Sequence, residues 1–272
     1  MYKQYPLSLA FLTVQGCPPI EHVKVAAASG YDMAGLRLIA PHGLDLAHPI
    51  VANKPLIRQI KATAADLGIS FYDGEVFTLL PETDVESWLP VIETAAEFAM
   101  PMMQITCEDR DLSRAGDKLG RIADAAAEHG MAMAIEFMRW RSTATIQDAS
   151  RLAAASGRDN VGVLLDALHL SRSGGSPADV AALPEGLVLY LQLCDAPARQ
   201  PRDNAARIAE ARTERMFPGA GGLWLNELMS VLPGDITISV ETPHKGDSTL
   251  SFAERAEKAM AATRRFLDSL PR

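Results

Sequence analysis

Apolar and polar positions alternate in two textures along almost the whole chain. Short runs rich in β-branched and large apolar residues, beginning with "LSLAFLTV" (7–14), "DMAGLRLI" (32–39) and "ISFYDGEVF" (69–77), have the character of strands. The later runs are "MMQIT" (102–106), "MAMAIEFM" (131–138), "VGVLLD" (161–166), "LVLYLQLCD" (187–195) and "ITISVE" (236–241). Each is followed by an Ala-rich stretch with apolar residues at helical spacing, over 20–30, 53–68, 84–99, 112–130, 145–157, 177–183, 223–232 and 251–270. Several of these stretches close on glycine, at Gly30, Gly68, Gly130 and Gly157, where a helix end favours a left-handed residue. Alternating strand–helix units imply a parallel sheet. Eight such units in about 250 residues match a single-domain (β/α)8 TIM barrel over 1–272. An open doubly wound sheet usually has fewer strands, and no G-x-G-x-x-G follows the first run.

The pattern is broken only at 196–222, "APARQPRDNAARIAEARTERMFPGAGG", between the seventh strand and its helix. A long loop at that end of a barrel strand borders the mouth, which makes it a candidate lid with a short helix over 203–213. Arg215, just before the Gly-rich turn, is the arginine expected to face inward.

Composition adds limits. The chain has 272 residues, 48% hydrophobic and 22% charged, so it can bury a large core without staples. Cys17, Cys107 and Cys194 are far apart and form no disulfide framework, which fits a reducing cytoplasm. A net charge of −8 argues against a nucleic-acid partner, whose phosphates require clustered Lys and Arg. The N-terminal stretch lacks the apolar region and cleavage site of a signal peptide and reads as a first strand. No apolar run is long enough to cross a membrane. Trp140 and Trp224, read as exposed apolar positions, are candidate contacts in a homo-oligomer.

If the barrel is right, the C-terminal ends of its strands carry the chemistry. In order they bring Arg37, Glu75, Thr106, Glu136, Asp166, Gln192 and Glu241. Glu75 reads first as a rim residue or a salt-bridge partner. The last four are different, because consecutive strands deliver three carboxylates and an amide from apolar runs. Desolvating one ionised carboxylate costs several kcal/mol, and three around one axis repel. One divalent cation removes both problems. Oxygen donors from Glu136, Asp166, Gln192 and Glu241 suit Mg²⁺ or Mn²⁺ better than a structural Zn²⁺. His169, three residues past Asp166 in the following loop, is placed to bind substrate or move a proton. Cys107 and Cys194 read as core thiols, and the Met stripe from 100 to 138 as core filling.

The motifs "AIEF", "LLDALHL", "LQLCDAP", "PGAGG" and "SVETP", in this order over nearly the whole chain, resemble the xylose isomerase-like TIM barrels, which include sugar-phosphate isomerases and epimerases. The resemblance implies metal binding by Glu136, Asp166 and Glu241. Ketose epimerases of this family commonly have His where this chain has Gln192. Gln at that position, in the pattern Q-x-x-D-x-P, looks more like hydroxypyruvate isomerases and 3-dehydroshikimate dehydratases. The apurinic endonucleases of the superfamily need several His ligands, and the six here (His22, His42, His48, His129, His169, His244) do not supply them.

The family's reactions start alike: a polyhydroxy carbonyl compound chelates the metal, a base takes the proton α to the carbonyl, and an enediolate forms. The resemblance favours isomerase or epimerase activity, with Glu136 and Glu241 as acid–base groups on opposite faces. The alternative is a dehydratase in which His169 is the base. Arg37 and Arg215 are candidates for a substrate carboxylate or phosphate, and Glu75 and His169 complete the candidate substrate-binding set.

Overall fold

Every predicted run forms a strand, and the eight strands close on themselves in sequence order, each parallel to its neighbours. They are β1 (Leu7–Leu9), β2 (Met33–Arg37), β3 (Ser70–Leu79), β4 (Met102–Cys107), β5 (Ala132–Glu136), β6 (Val161–Asp166), β7 (Val188–Leu193) and β8 (Ile238–Val240). The helices are α1 (Pro19–Ala28), α2 (Lys54–Leu67), α3 (Leu89–Glu97), α4 (Leu112–Ala127), α5 (Ile146–Ser156), α6 (Ala167–Arg172), α7 (Pro177–Ala181), α8 (Asn204–Thr213), α9 (Leu225–Ser230) and α10 (Phe252–Ser269). The computed structural model describes residues 5–40 and 46–271, and His42 lies outside them. The chain is a (β/α)8 TIM barrel.

Local chemistry sets the boundaries. A capping box of Ser251 and Glu254 starts α10, and another of Thr145 and Asp148 starts α5. Gly68 and Gly157, at φ 69° and 63°, end α2 and α5 in the left-handed region. Along β5, Met133 and Ile135 join the large core between sheet and helices. Ala134 and Glu136 therefore face the barrel interior, since side chains alternate along a strand. A small interior cluster of Tyr72, Ala134, Leu164 and Tyr190 fills part of the barrel.

Two elements and two tryptophans differ from the sequence reading. The first run, expected as a strand over 7–14, leaves the sheet after Leu9 and makes a 3-10 turn at Phe11–Val14. Thr13 holds that turn against β8: its hydroxyl donates to the Val240 carbonyl at 2.8 Å and accepts from the Thr242 amide at 2.9 Å. The connection after β6 begins with a helix rather than the expected loop, because Asp166 caps α6 by accepting from the His169 amide at 2.9 Å. Trp140 and Trp224 are partly buried. Trp140 packs edge-on against the His169 ring with centroids 5.2 Å apart, and Trp224 packs on the core. Among the described residues the large apolar side chains that are exposed are Leu67, Leu112 and Val231.

Candidate metal centre

The ends of β5 to β8 bring their interior residues together. Glu136 lies opposite Leu164, Asp166 lies opposite Gln192, and the Glu241 amide donates to the Leu193 carbonyl at 3.2 Å, which prolongs β8 along β7. Glu136, Asp166, Gln192 and Glu241 are all buried, as are His169 and Arg215. Glu136, Asp166 and His169 each offer one ligand atom, and these atoms lie within 4.8 Å of one another. His169 Nε2 is 3.4 Å from Glu136 Oε1 and 3.9 Å from Asp166 Oδ2.

Glu241 joins this group through Arg215. The guanidinium places Nη1 2.6 Å from Asp166 Oδ2 and Nη2 2.8 Å from Glu241 Oε2, while Nε donates to the Ala211 carbonyl at 2.8 Å. Gln192 Nε2 turns toward Glu241 Oε1 at 3.4 Å, so its carbonyl oxygen faces no donor among the described residues. That buried oxygen lies beside the carboxylates, while the donor atoms that meet within 4.8 Å are two carboxylate oxygens and the His169 nitrogen.

The electrostatics follow from burial. Desolvation raises the Glu136 carboxyl well above the usual range, and the nearby Glu241 and Asp166 add to it. Burial pushes Glu241 up to about 7, against the pull of Arg215. Burial also works against ionised Asp166, but Arg215 and His169 outweigh it and hold that carboxyl below its usual value. His169 is pushed down to about 4 by burial, so its ring is neutral near pH 7.

Arg37 and Glu75, expected at the strand ends, pair with each other. Arg37 Nε and Nη2 donate to Glu75 Oε2 at 3.0 and 2.6 Å, and the guanidinium lies over the Phe11 ring. Glu75 is thus a salt-bridge partner, but a buried one rather than a rim residue.

Residues 23–270 match the family of xylose isomerase-like TIM barrels. The chain belongs to that family. It is 28% identical over 234 residues to 3-dehydroshikimate dehydratase of Pseudomonas aeruginosa, a match that covers 79% of this chain and 34% of that protein. It is 26% identical over 233 residues to the Pseudomonas putida enzyme of the same name, again over 79% of this chain and 34% of the other. The chain therefore spans about a third of the length of the curated relatives it matches. Among solved structures, the IOLI protein with a bound zinc atom superposes with a TM-score of 0.80 at 15% identity, over 98% of this chain and 99% of that one. The probable 3-DHS dehydratase AsbF of Bacillus anthracis gives 0.72 at 15% identity, over 96% and 98%. D-psicose 3-epimerase gives 0.71 at 14% identity, over 96% and 97%. At these identities the likeness to solved structures is one of fold.

This xylose isomerase-like barrel also carries site-shaping residues that strand ends alone do not point to. Gln104, in the middle of β4, donates from Nε2 to Glu136 Oε2 at 2.6 Å. Its signal was a Gln inside an otherwise apolar strand. Asp73, two residues before Glu75 on β3, is fully buried and accepts from the Tyr190 hydroxyl at 3.2 Å. Burial holds its carboxyl well above the usual range. Asp195 accepts from the amides of Gly219, Gly221 and Leu223 and so shapes the "PGAGG" turn that follows Arg215. Arg172 and Glu210 make a buried two-pronged pair, at 2.7 and 2.6 Å, that fastens α8 of the long loop onto α6. No signal in the sequence joins these two positions.

Proposed function

We propose that this chain is a divalent-metal-dependent enzyme that removes the proton α to a carbonyl of a polyhydroxy compound and then expels a β-hydroxyl. It is a dehydratase of the 3-dehydroshikimate type. The observation that carries the metal-dependent part is the convergence of buried carboxylates: Glu136 and Asp166 flank His169 Nε2 at 3.4 and 3.9 Å, and Glu241 is joined to Asp166 through Arg215. Glu136, Asp166, Gln192 and Glu241 would hold the cation. Bound there, it would supply Lewis-acid polarisation of the substrate carbonyl.

Two observations support dehydration over the isomerisation that the resemblance favours. The curated relatives at 28% and 26% identity are named as 3-dehydroshikimate dehydratases. In addition, Gln104 occupies one oxygen of Glu136 and Arg215 one oxygen of Glu241, which limits how either carboxylate can carry protons between two faces of a substrate. His169 is neutral, and its Nδ1 finds no partner among the described residues. His169 takes the α-proton as the C–H bond breaks. The electron pair forms the C=C bond, and the β-hydroxyl leaves with a proton as water. Trp140 packs on the His169 ring and fixes its plane. Arg37, anchored by Glu75 through Nε and Nη2, keeps Nη1 for a substrate carboxylate.

A second reading, isomerase or epimerase, draws on the placement of Glu136 and Glu241 at the ends of β5 and β8, as a two-base reaction requires. A substrate panel in D₂O separates the two. Loss of water from 3-dehydroshikimate with a new ultraviolet-absorbing product supports dehydration. Deuterium on carbon of a sugar or of hydroxypyruvate without loss of water supports isomerisation instead. Turnover of none of these, with Mn²⁺ or Mg²⁺ present, defeats the proposal.

A further inference from the structure

A cleft of about 240 Å³ opens where the turn after β1, the end of α8 and the segment after β8 meet. It shares a wall with the candidate metal centre. Thr242 follows Glu241 directly, and the Arg215 amide donates to the Pro243 carbonyl at 3.1 Å. Glu214 and His244 form a β-bridge beside it. The same short backbone therefore carries Arg215 and Glu241 on the centre's side and lines the cleft.

The cleft is positively charged on a chain whose net charge is −8. Arg212, Lys245 and Arg255 reach it from three separate segments. Lys245 pairs with Glu214. Asp247, the carboxylate in the lining, is 2.8 Å from Lys258 and faces the His244 ring at 4.0 Å. Arg212 and Arg255 have no carboxylate partner among the described residues. Arg255 is held in place by the backbone carbonyls of Asp247 and Ser248, each at 3.0 Å, and by the Phe252 ring, whose centroid is 5.5 Å from the guanidinium carbon. The cleft thus keeps two cationic side chains whose charge no carboxylate compensates. Thr242 also lines the cleft, and its hydroxyl is buried and has no hydrogen-bond partner among the described residues. Guanidiniums and a hydroxyl are the kinds of donor that an oxyanion takes. Loops that follow the last two strands are also where a barrel commonly gathers an anionic group.

We propose that this cleft is an oxyanion subsite, and that the group it takes is the carboxylate or phosphate arm of the substrate handled at the neighbouring centre. Assigning the anion to the substrate rests on the metal-dependent reading above; the subsite itself does not. Inorganic phosphate is the probe, titrated calorimetrically into the full chain at low ionic strength. The expected result is saturable binding that weakens with added salt and weakens at least tenfold in Arg212→Ala, an exposed position whose loss leaves the fold intact. Thr242→Val, which keeps the side-chain shape and removes the hydroxyl, weakens it as well. No saturable binding by the parent chain, or equal affinity in the parent and both variants, overturns the subsite. Phosphate that raises KM without lowering kcat supports the substrate arm, whereas phosphate that binds and leaves KM unchanged overturns that assignment. Mn²⁺ titrations of the same samples keep the two ideas apart: a chain that binds phosphate but no divalent cation defeats the metal-dependent reading and leaves the subsite standing.

Discussion

Arg215 sets its guanidinium 2.6 Å from the Asp166 carboxylate, deep in the barrel mouth and at the end of a loop that begins with β7. The contact holds Asp166 ionised where burial alone would neutralise it. Nη2 of the same guanidinium reaches Glu241. The protein therefore carries part of its own charge compensation, and the expected substrate-binding arginine is turned toward the carboxylates. Replacing Arg215 by Met strands two buried acids. Breaking a buried pair by removing one partner costs about 3–5 kcal/mol. Denaturant melts of the chelator-treated protein should show a loss of that size, and Arg215→Lys should recover part of it.

Gln104 acts on Glu136 from behind. It fills one carboxylate oxygen at 2.6 Å and leaves the other toward His169. Removing an outer partner of a metal-binding carboxylate typically costs about 10–100-fold in affinity or activity. Gln104→Leu should therefore weaken Mn²⁺ binding by that factor in calorimetric titrations while the protein stays folded. Unchanged affinity would mean that Glu136 needs no such support.

Asp73 makes stability depend on pH. Its carboxyl is raised well above the usual value by burial, so the folded protein keeps a proton that the unfolded chain gives up near pH 4. Stability from this group is complete below that pH and is lost as pH rises toward the folded value. Asp73→Asn has no proton to lose. Its melting temperature relative to the parent should climb steadily from pH 4 to pH 8. His22 and His169, both pushed down to about 4 by burial, act in the opposite sense between pH 4 and 6.5, but they are common to both proteins and cancel in the difference. A constant difference across the range would refute the assignment.

The Arg172–Glu210 pair makes the long loop a strap rather than a loose lid. Arg172 also donates to the Pro197 carbonyl at 2.8 Å, and Gln200 to that of Ser171 at 2.7 Å. Glu210→Ala leaves a buried guanidinium without its carboxylate, at a cost of about 3–5 kcal/mol. Hydrogen exchange should rise first across 197–213, with the strands β1 to β6 still protected. Uniform loss of protection would place the pair in the general core instead.

Periodicity by itself determined the barrel. Eight apolar runs of strand length, each followed by a helical stretch, leave few topologies, and the polar residues that finish those runs could only be tolerated where strands end. Glu136, Asp166, Gln192 and Glu241 were legible for that reason, because a carboxylate in an apolar run is costly wherever it does not meet a partner. The "LLDALHL" step was not legible as structure: Asp166 serves as the α6 cap, which turns the expected loop into a helix. Only the tertiary structure decided the pairings. Arg37 with Glu75, Gln104 with Glu136, Tyr190 with Asp73 and Arg215 with Asp166 join positions 32 to 117 residues apart. Period and composition describe each segment's environment, whereas a hydrogen bond depends on the register and closure of the whole sheet, and those exist only once all eight strands have met.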